Sequence, residues 1–525
     1  MITMGPQRTV TCTSHPLAPG AQVLRQSANG GPAMQFSVQL DASHRSVTFP
    51  ERIIQIGEGN FLRGFVDWMI HQLNKQGLYE GSVVVVAPRP SGAQNIARLN
   101  AQDGLFTVCL RGIHQGVNID DREIVSSIRR GIDPHQDWSE FLRCAENPTI
   151  DILVSNTTES GIQYVQEDYQ MGQPLMSFPG KLTAYLHHRY TFFQGAAAAG
   201  MTIVPCELIE DNGEKLRKIV LRHAADWGLP TTFQDWIRQH NHFCNTLVDR
   251  IVTGFPKGTS GQELLDSLGY RDELVTVGEP YHLWAIEADD RLRQAWPFEK
   301  IGLNVRYVAD VTPYRVQKVR ILNGAHTAMA ALGRLAGLSS VREVVIHPVF
   351  GPFIHGLLFG EVVPTLADHV DSENQLEEFA NAVMERFANP YIHHELTSLT
   401  LNGLSKIRVR LLPTLNDYYA RYGRAPRCLS AALAGQLLFY RNADNPLKRW
   451  PIQDDSAWVS TLEDIWAKES TVGLEETVAA LLRHPQLWGQ DLTQLDGLHA
   501  QMVAFIRRVR QNGVVTALQS VAEVL

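Results

Sequence analysis

The run Lys318-Val319-Arg320-Ile321-Leu322-Asn323-Gly324-Ala325-His326 places an amine, an amide and an imidazole inside an otherwise apolar stretch. Read as an α-helix, it makes Asn323 and His326 i,i+3 neighbours and sets Lys318 about 80° from His326 and about 140° from Asn323 around the axis. Such a set suits a carbinol or ketone carbon. An alcohol that gives up hydride needs a base for its hydroxyl proton, and burial among Val, Ile and Leu lowers a lysine pKa towards neutrality. The amide and the imidazole would stabilise the alkoxide. The same spacing also fits an amphipathic helix whose Lys and Arg snorkel to solvent, so the rest of the chain has to decide.

If the set is catalytic, other elements must bring a hydride carrier to it. Residues 52–56 read as a strand, Gly57-Glu58-Gly59-Asn60-Phe61 as a glycine turn, the stretch to Gly77 as a helix, and 82–87 as a β-branched buried strand. In this βαβ unit Gly57 permits the tight turn and Gly59 lets backbone N–H groups approach a pyrophosphate. Asn60 and Phe61 open the helix whose positive end faces the phosphates. Leu62 holds the place of the usual third glycine. After the second strand, Ala87-Pro88-Arg89-Pro90 stands where an acid would hold the adenine ribose hydroxyls. Arg89 suits either a ribose 2′-phosphate or stacking on adenine, so these residues leave NAD and NADP open. Strands at 150–156 and 201–206 end in Asn156, Thr157, Thr158 and Glu159, and in Glu207. Ligands bind at such carboxyl ends, although the same residue types are ordinary turn formers.

A chain of 525 residues exceeds one ordinary core, so two domains are expected. The formal net charge of -8 argues against nucleic acid or an anionic membrane surface as partner. Six cysteines without a CxxC pair suggest neither a zinc ribbon nor a disulfide scaffold, and they fit a reducing cytoplasm. The histidines form no HExxH or matched ligand set, so no metal is expected. No apolar run is long enough to span a bilayer. Residues 1–45 read as a disordered leader or an expression remnant. The expected fold is α/β: a Rossmann-type nucleotide-binding domain over 46–312, then a mainly α-helical domain over 313–525 with helices that include 315–336, 340–359, 391–403 and 406–420. The lysine-bearing stretch opens the second domain and faces the first, and sites commonly lie at such interfaces.

Seven ordered stretches carry a family resemblance: GEGNFLRGFVDW from Gly57, QDGLFTVCLRG from Gln102, SNTTESGI from Ser155, PCELIEDNG from Pro205, LVDRIVTG from Leu247, KVRILNGAH from Lys318 and RFANPYIHHEL from Arg386. Together they resemble the polyol-specific long-chain dehydrogenases, the mannitol dehydrogenase family. The third, fourth and fifth are most similar to its sugar-acid branch. The resemblance implies an NAD-dependent, metal-independent reductase. It implies Lys318 as the general acid of ketone reduction and the base of alcohol oxidation, Asn323 as the group that polarises the carbonyl, and His326 as the one that orients a hydroxyl. Cys206-Glu207-Leu208 replaces the Cys-Asp-Asn of mannitol dehydrogenases, and Asn212 is the candidate to supply the missing amide. A sugar acid also needs a cation for its carboxylate. Lys406 aligns with a lysine near the substrate in the mannitol enzymes, and Arg408, His393 and His394 follow as candidates that also fit solvated helix faces and caps. The implied reaction is D-tagaturonate, NADH and a proton giving D-altronate and NAD. Fructuronate, then mannitol or fructose, are the rival substrates, and a non-catalytic redox sensor is the rival of another class. The expected partner is a small-molecule sugar acid, with neither nucleic acid nor membrane, on a cytoplasmic monomer or weak homo-oligomer.

Overall fold

Valine- and isoleucine-rich runs bounded by glycine and polar turns build a six-stranded parallel sheet: β1 (Glu51–Ile56), β2 (Ser82–Val86), β3 (Ile128–Ile132), β4 (Ile152–Ser155), β5 (Thr202–Pro205) and β6 (His242–Phe243). Their order is β3-β2-β1-β4-β5-β6, and every neighbouring pair is parallel. The chain winds outward from β1 in both directions, which is the Rossmann order and leaves a crevice at the carboxyl ends of β1 and β4. Apolar layers cover both faces, one around Phe65, Met69, Trp284 and Trp296, the other around Phe141, Tyr185, Leu216 and Trp236. Double-sided burial explains why these strands read as continuous β-branched runs. The computed structural model describes residues 38–369, 373–441 and 452–522.

Three features depart from the sequence expectation. Residues 1–37 lie outside the described residues, but the chain from Val38 belongs to the first domain and not to a leader. Gln39 bridges Arg271, Leu40 is fully buried, and Arg45 donates to the carbonyls of Ser126 and Asp103 at 2.5 Å and of Ile128 at 2.8 Å. One apolar side chain and one arginine pin this segment without any periodicity. A hairpin, Phe106–His114 with Val117–Val125, was not foreseen, because its second strand is mostly exposed and charged. Gln115 and Gly116, with φ of 50° and 75°, make its two-residue turn, and their N–H groups donate to the Glu385 carboxylate at 2.9 and 2.7 Å. Two expected helices are also broken. The 406–420 stretch divides into Gly403–Arg410 and Leu412–Tyr422 around Pro413, and the 340–359 stretch breaks at Pro348 between Val341–Ile346 and Phe350–His355. Of the 391–403 stretch, Leu396–Thr400 is a short helix and Gly403 already begins the next one.

Helices fill the chain from Thr312. The central one runs as Thr312–Gln317, Lys318–Asn323 and Gly324–Leu335, and the last part is buried on nearly every side. Among the described residues no helix is long and apolar enough to cross a membrane. The strand Thr246–Asp249, in a three-stranded sheet with Leu283–Glu287 and Val305–Val308, comes from the first domain and reaches the start of this helix.

Candidate active site

The segment Lys318–Asn323 is π-helical. Its bonds close i to i+5, so the turn takes in more residues than the α-helix assumed from spacing, and Asn323 comes round towards the azimuth of Lys318. Lys318 Nζ donates to the Val248 carbonyl at 2.8 Å and lies 3.4 Å from Asp249 Oδ1. The expected aliphatic cage around the amine is therefore corrected: Lys318 crosses to the first domain and sits among acceptors.

Asp249 is in turn gripped by Arg386, with Nη1 to Oδ2 at 2.8 Å and Nη2 to Oδ1 at 3.0 Å, and Arg386 Nε reaches both Glu279 oxygens at 3.1 and 3.0 Å. The side chains of Asp249, Arg386 and Glu279 are only 5%, 2% and 1% exposed, and that of Lys318 is 14% exposed. Burial by itself would raise the Asp249 carboxyl, but Arg386 and Lys318 more than offset it and hold its pKa at about 2. Asp249 is thus a permanent anion beside the Lys318 amine. Neither this carboxylate nor Arg386 and Glu279 was singled out from the sequence. Asp249 and Arg386 lay inside two of the matched stretches, but only the fold shows that they are buried together.

His326 is buried, with its ring centroid 4.5 Å from that of Phe387 and 4.8 Å from that of His394. Burial first, then the neighbouring His394, Arg386 and Arg410, push its pKa well below the usual histidine value. The ring is neutral at neutral pH, able to donate from one nitrogen and accept at the other. Its Nε2 is sealed from solvent and has no hydrogen-bond partner among the described residues. The Asn323 carbonyl accepts from Thr327 Oγ1 at 2.9 Å, which ties the two helical turns together.

The glycine turn follows β1. Gly57 has φ of 136°, and a Cβ there would stand 2.8 Å from the Asn156 carbonyl oxygen, so glycine is required where the turn touches the end of β4. Space is open over Gly59. The helix then starts at Asn60–Leu62, widens into a π-turn over Arg63–Asp67 and continues as Trp68–Lys75. Arg63 braces the turn from below, donating to the Glu58 carbonyl and to Asn60 Oδ1, both at 2.5 Å. An open cradle of N–H groups at a helix start is what a pyrophosphate needs. Beyond β2, where an acid is missing from the sequence, the Glu58 side chain reaches across from the turn: a Cβ on Gly92 would come within 2.7 Å of Glu58 Oε1. The buried Lys181 holds this loop, with Nζ 3.1 Å from the Pro88 carbonyl and 2.8 Å from that of Met176. Burial lowers the Lys181 pKa to about 8.

Residues 51–300 match the family described as the mannitol dehydrogenase Rossmann domain, and residues 310–510 match the mannitol dehydrogenase C-terminal domain. The chain belongs to the mannitol dehydrogenase family. Among its relatives, the altronate oxidoreductase of Bacillus subtilis is 43% identical over 471 residues, 90% of this chain and 95% of the relative. That of Pectobacterium carotovorum is 41% identical over 477 residues, 90% of this chain and 96% of the relative. In fold it is similar to Pseudomonas fluorescens mannitol 2-dehydrogenase, solved with NAD and D-mannitol (TM-score 0.62, 24% identity, 90% of this chain and 95% of that one). A substrate-free D-sorbitol dehydrogenase matches with a TM-score of 0.72 at 20% identity, over 90% of this chain and 95% of that one.

On this mannitol dehydrogenase fold the remaining expected residues fall into place unevenly. Asn212 is no substitute amide for the substrate: it is fully buried, donating to the Pro205 and Glu207 carbonyls at 3.1 Å and accepting from the Thr246 N–H at 2.9 Å. Glu207 is also buried, accepting from Ser155 Oγ at 3.0 Å and from the Thr157 N–H and Oγ1 at 2.9 and 3.0 Å. Asn156 donates to the Cys206 carbonyl at 2.7 Å, so Asn156 and Thr157 shape the crevice by joining β4 to β5. Thr158 is exposed, with Oγ1 3.0 Å from Ser160 Oγ, and the side chain of Glu159 lies outside the described residues. The Phe61 ring stacks on Phe65 at 5.0 Å against the core, so only its backbone belongs to the turn, and Arg89 is exposed.

In the helical domain His394 lies against His326, whereas His393 is exposed and pairs with Glu395 at 2.5 Å. Lys406 is half-buried, with Nζ 3.0 Å from the Leu399 carbonyl. Arg408 is exposed on the side of Gly489, because two residues along a helix carry it off the face of Lys406. Arg410, four residues after Lys406, shares that face and donates from Nη1 to Thr327 Oγ1 at 3.2 Å. It was missed, and its i+4 spacing from Lys406 was the signal.

Proposed function

We propose that the chain is an NAD-dependent altronate oxidoreductase that interconverts D-tagaturonate and D-altronate. The observation that carries this reading is the crossing of Lys318 from the helical domain to Val248 and Asp249 of the first domain, on the same helix as Asn323 and His326. NADH, when bound, supplies the hydride. Lys318 holds the proton at Nζ and gives it to the developing alkoxide, and it takes the proton back in the oxidative direction. The Asn323 amide polarises the carbonyl, and the neutral His326 ring orients a neighbouring hydroxyl. Asp249 and Arg386 fix where Lys318 stands. The names carried by relatives 43% and 41% identical support the choice of sugar acid. Glu58 supports NAD over NADP, since a carboxylate at the end of β2 accepts from ribose hydroxyls and repels a 2′-phosphate.

The test is NADH oxidation by the purified protein at neutral pH, with D-tagaturonate, D-fructuronate and D-fructose offered in parallel. Turnover is expected with D-tagaturonate foremost, and preference for another substrate overturns the assignment. Lys318→Ala is expected to bind NADH, seen by its fluorescence, and to turn over at least about 100-fold more slowly. Wild-type rates in that variant would remove Lys318 from the mechanism.

A further inference from the structure

We infer that Arg410 is the residue that binds the carboxylate of the sugar-acid substrate, with Lys406 beside it as a second positive charge. The inference rests on the sugar-acid reading above and assigns the group that would enforce it. Gly403–Arg410 packs against the catalytic helix closely enough that a Cβ on Gly324 would stand 3.4 Å from the Arg410 carbonyl oxygen. At its end Arg410 donates to Thr327, the residue after His326. That single bond leaves most of a five-donor fork unused.

Other buried arginines of this chain meet either carboxylates or several other oxygens: Arg63 and Arg189, without an ion pair among the described residues, each make three hydrogen bonds. Arg320 has Asp417 at 2.9 Å, and Arg386 has Asp249 and Glu279. Arg410 is half-buried, and among the described residues no carboxylate lies within ion-pair distance of it. Burial lowers its pKa, and nothing acidic nearby offsets that. Lys406, one turn earlier on the same face, is also half-buried with a carbonyl as its hydrogen-bond partner, and the two cations repel each other. Asp454 attracts Lys406 from beyond ion-pair distance, but neither cation has an ion-pair partner among the described residues, and a planar fork is suited to a carboxylate.

The dimensions agree. D-tagaturonate carries its ketone and its carboxylate four carbon–carbon bonds apart, about 5 Å when extended, from bonds of about 1.5 Å. Asn323 and Thr327 are one helical turn apart, about 5–6 Å along the axis. A substrate lying along this helix presents its ketone to Lys318 and Asn323, a hydroxyl to His326 and its carboxylate to Arg410.

The experiment compares kcat/KM for D-tagaturonate with that for the neutral ketose D-tagatose, in the wild type, Arg410→Gln and Arg410→Lys. Wild-type preference for the acid tests the sugar-acid reading itself, and its absence would overturn that reading whatever the variants do. Given that preference, Arg410→Gln is expected to reduce it at least about 50-fold through KM for the acid, with KM for NADH unchanged. Arg410→Lys, which keeps the charge and loses the fork, should recover part of it. Equal losses on both substrates in both variants, or an unchanged preference, would make Arg410 a packing residue and overturn the inference. Thermal denaturation of each variant separates a folding defect from a binding one, and Lys406→Met, expected to lower the same preference more weakly, gives the comparison a variant away from the Thr327 contact.

Discussion

Replacing Arg386 by methionine removes the one cation that two buried carboxylates share, while keeping a long apolar side chain in its place. In the wild type Arg386 makes bonds of 2.8 and 3.0 Å to Asp249 and of 3.0 and 3.1 Å to Glu279, all from a nearly inaccessible position. Removing one partner of a buried ion pair costs about 3–5 kcal/mol, chiefly because the other partner is left charged and dry. For a domain of this size that corresponds to a fall in Tm of about 6–20 °C. Adding Asp249→Asn and Glu279→Gln to Arg386→Met removes the stranded charges, so the triple variant should regain at least about 2 kcal/mol. It should not regain turnover, because Lys318 has then lost the anion that fixes it. A second consequence concerns pH. In the wild type Asp249 is held at about 2, so it contributes no acid limb in the working range. In Arg386→Met the desolvation that Arg386 had outweighed is less opposed, and the Asp249 carboxyl takes up a proton at higher pH. Turnover should then decline on acidification at a pH where the wild type is still flat. Differential scanning calorimetry of these three proteins and of Asp249→Asn/Glu279→Gln alone, with kcat measured from pH 4 to 9, checks both parts. A loss below about 1 kcal/mol in Arg386→Met, or strictly additive effects in the triple variant, would refute the reasoning.

Two further predictions follow from buried or bridging carboxylates. Glu58→Gln should raise KM for NADH several-fold and narrow the preference for NADH over NADPH, measured by steady-state kinetics with both cofactors, and an unchanged ratio would remove Glu58 from the ribose site. Asp67 is fully buried, and burial raises its pKa to about 7, with opposition from Gln55 and Arg63. The folded state keeps that proton where the unfolded chain, at 3.8, has lost it, so the stability contributed by the neutral form is lost as pH rises towards about 7. Asp67→Asn should therefore gain about 2.5 kcal/mol relative to the wild type between pH 5 and pH 8, seen as a changing difference in denaturation midpoints. A difference that is the same at both pH values would mean that Asp67 is already ionised in the fold.

The sequence by itself determined what is local. The turn from Gly57 to Asn60, the β-branched strands on either side of it, and the Lys318, Asn323 and His326 set are each encoded within a few residues, where backbone preference and apolar periodicity act directly. What only the tertiary structure decided depends on neighbours far along the chain. The π-turn at Lys318–Asn323 changes the angle between two catalytic candidates, and the spacing of the residues did not announce it. Asp249, Glu279 and Arg386 are single charged residues in three separate segments, ordinary in sequence, and become a cluster only when burial leaves them one another as partners. Asn212 looked free to meet a substrate because its type and position allowed it, but its hydrogen bonds went to the backbone of Pro205, Glu207 and Thr246. Arg408 and Arg410 differ by two positions in sequence, yet one faces solvent and the other the helix of Gly324 and Thr327. That choice is set by the face on which Gly403–Arg410 packs, which is a property of the assembled core and not of either residue.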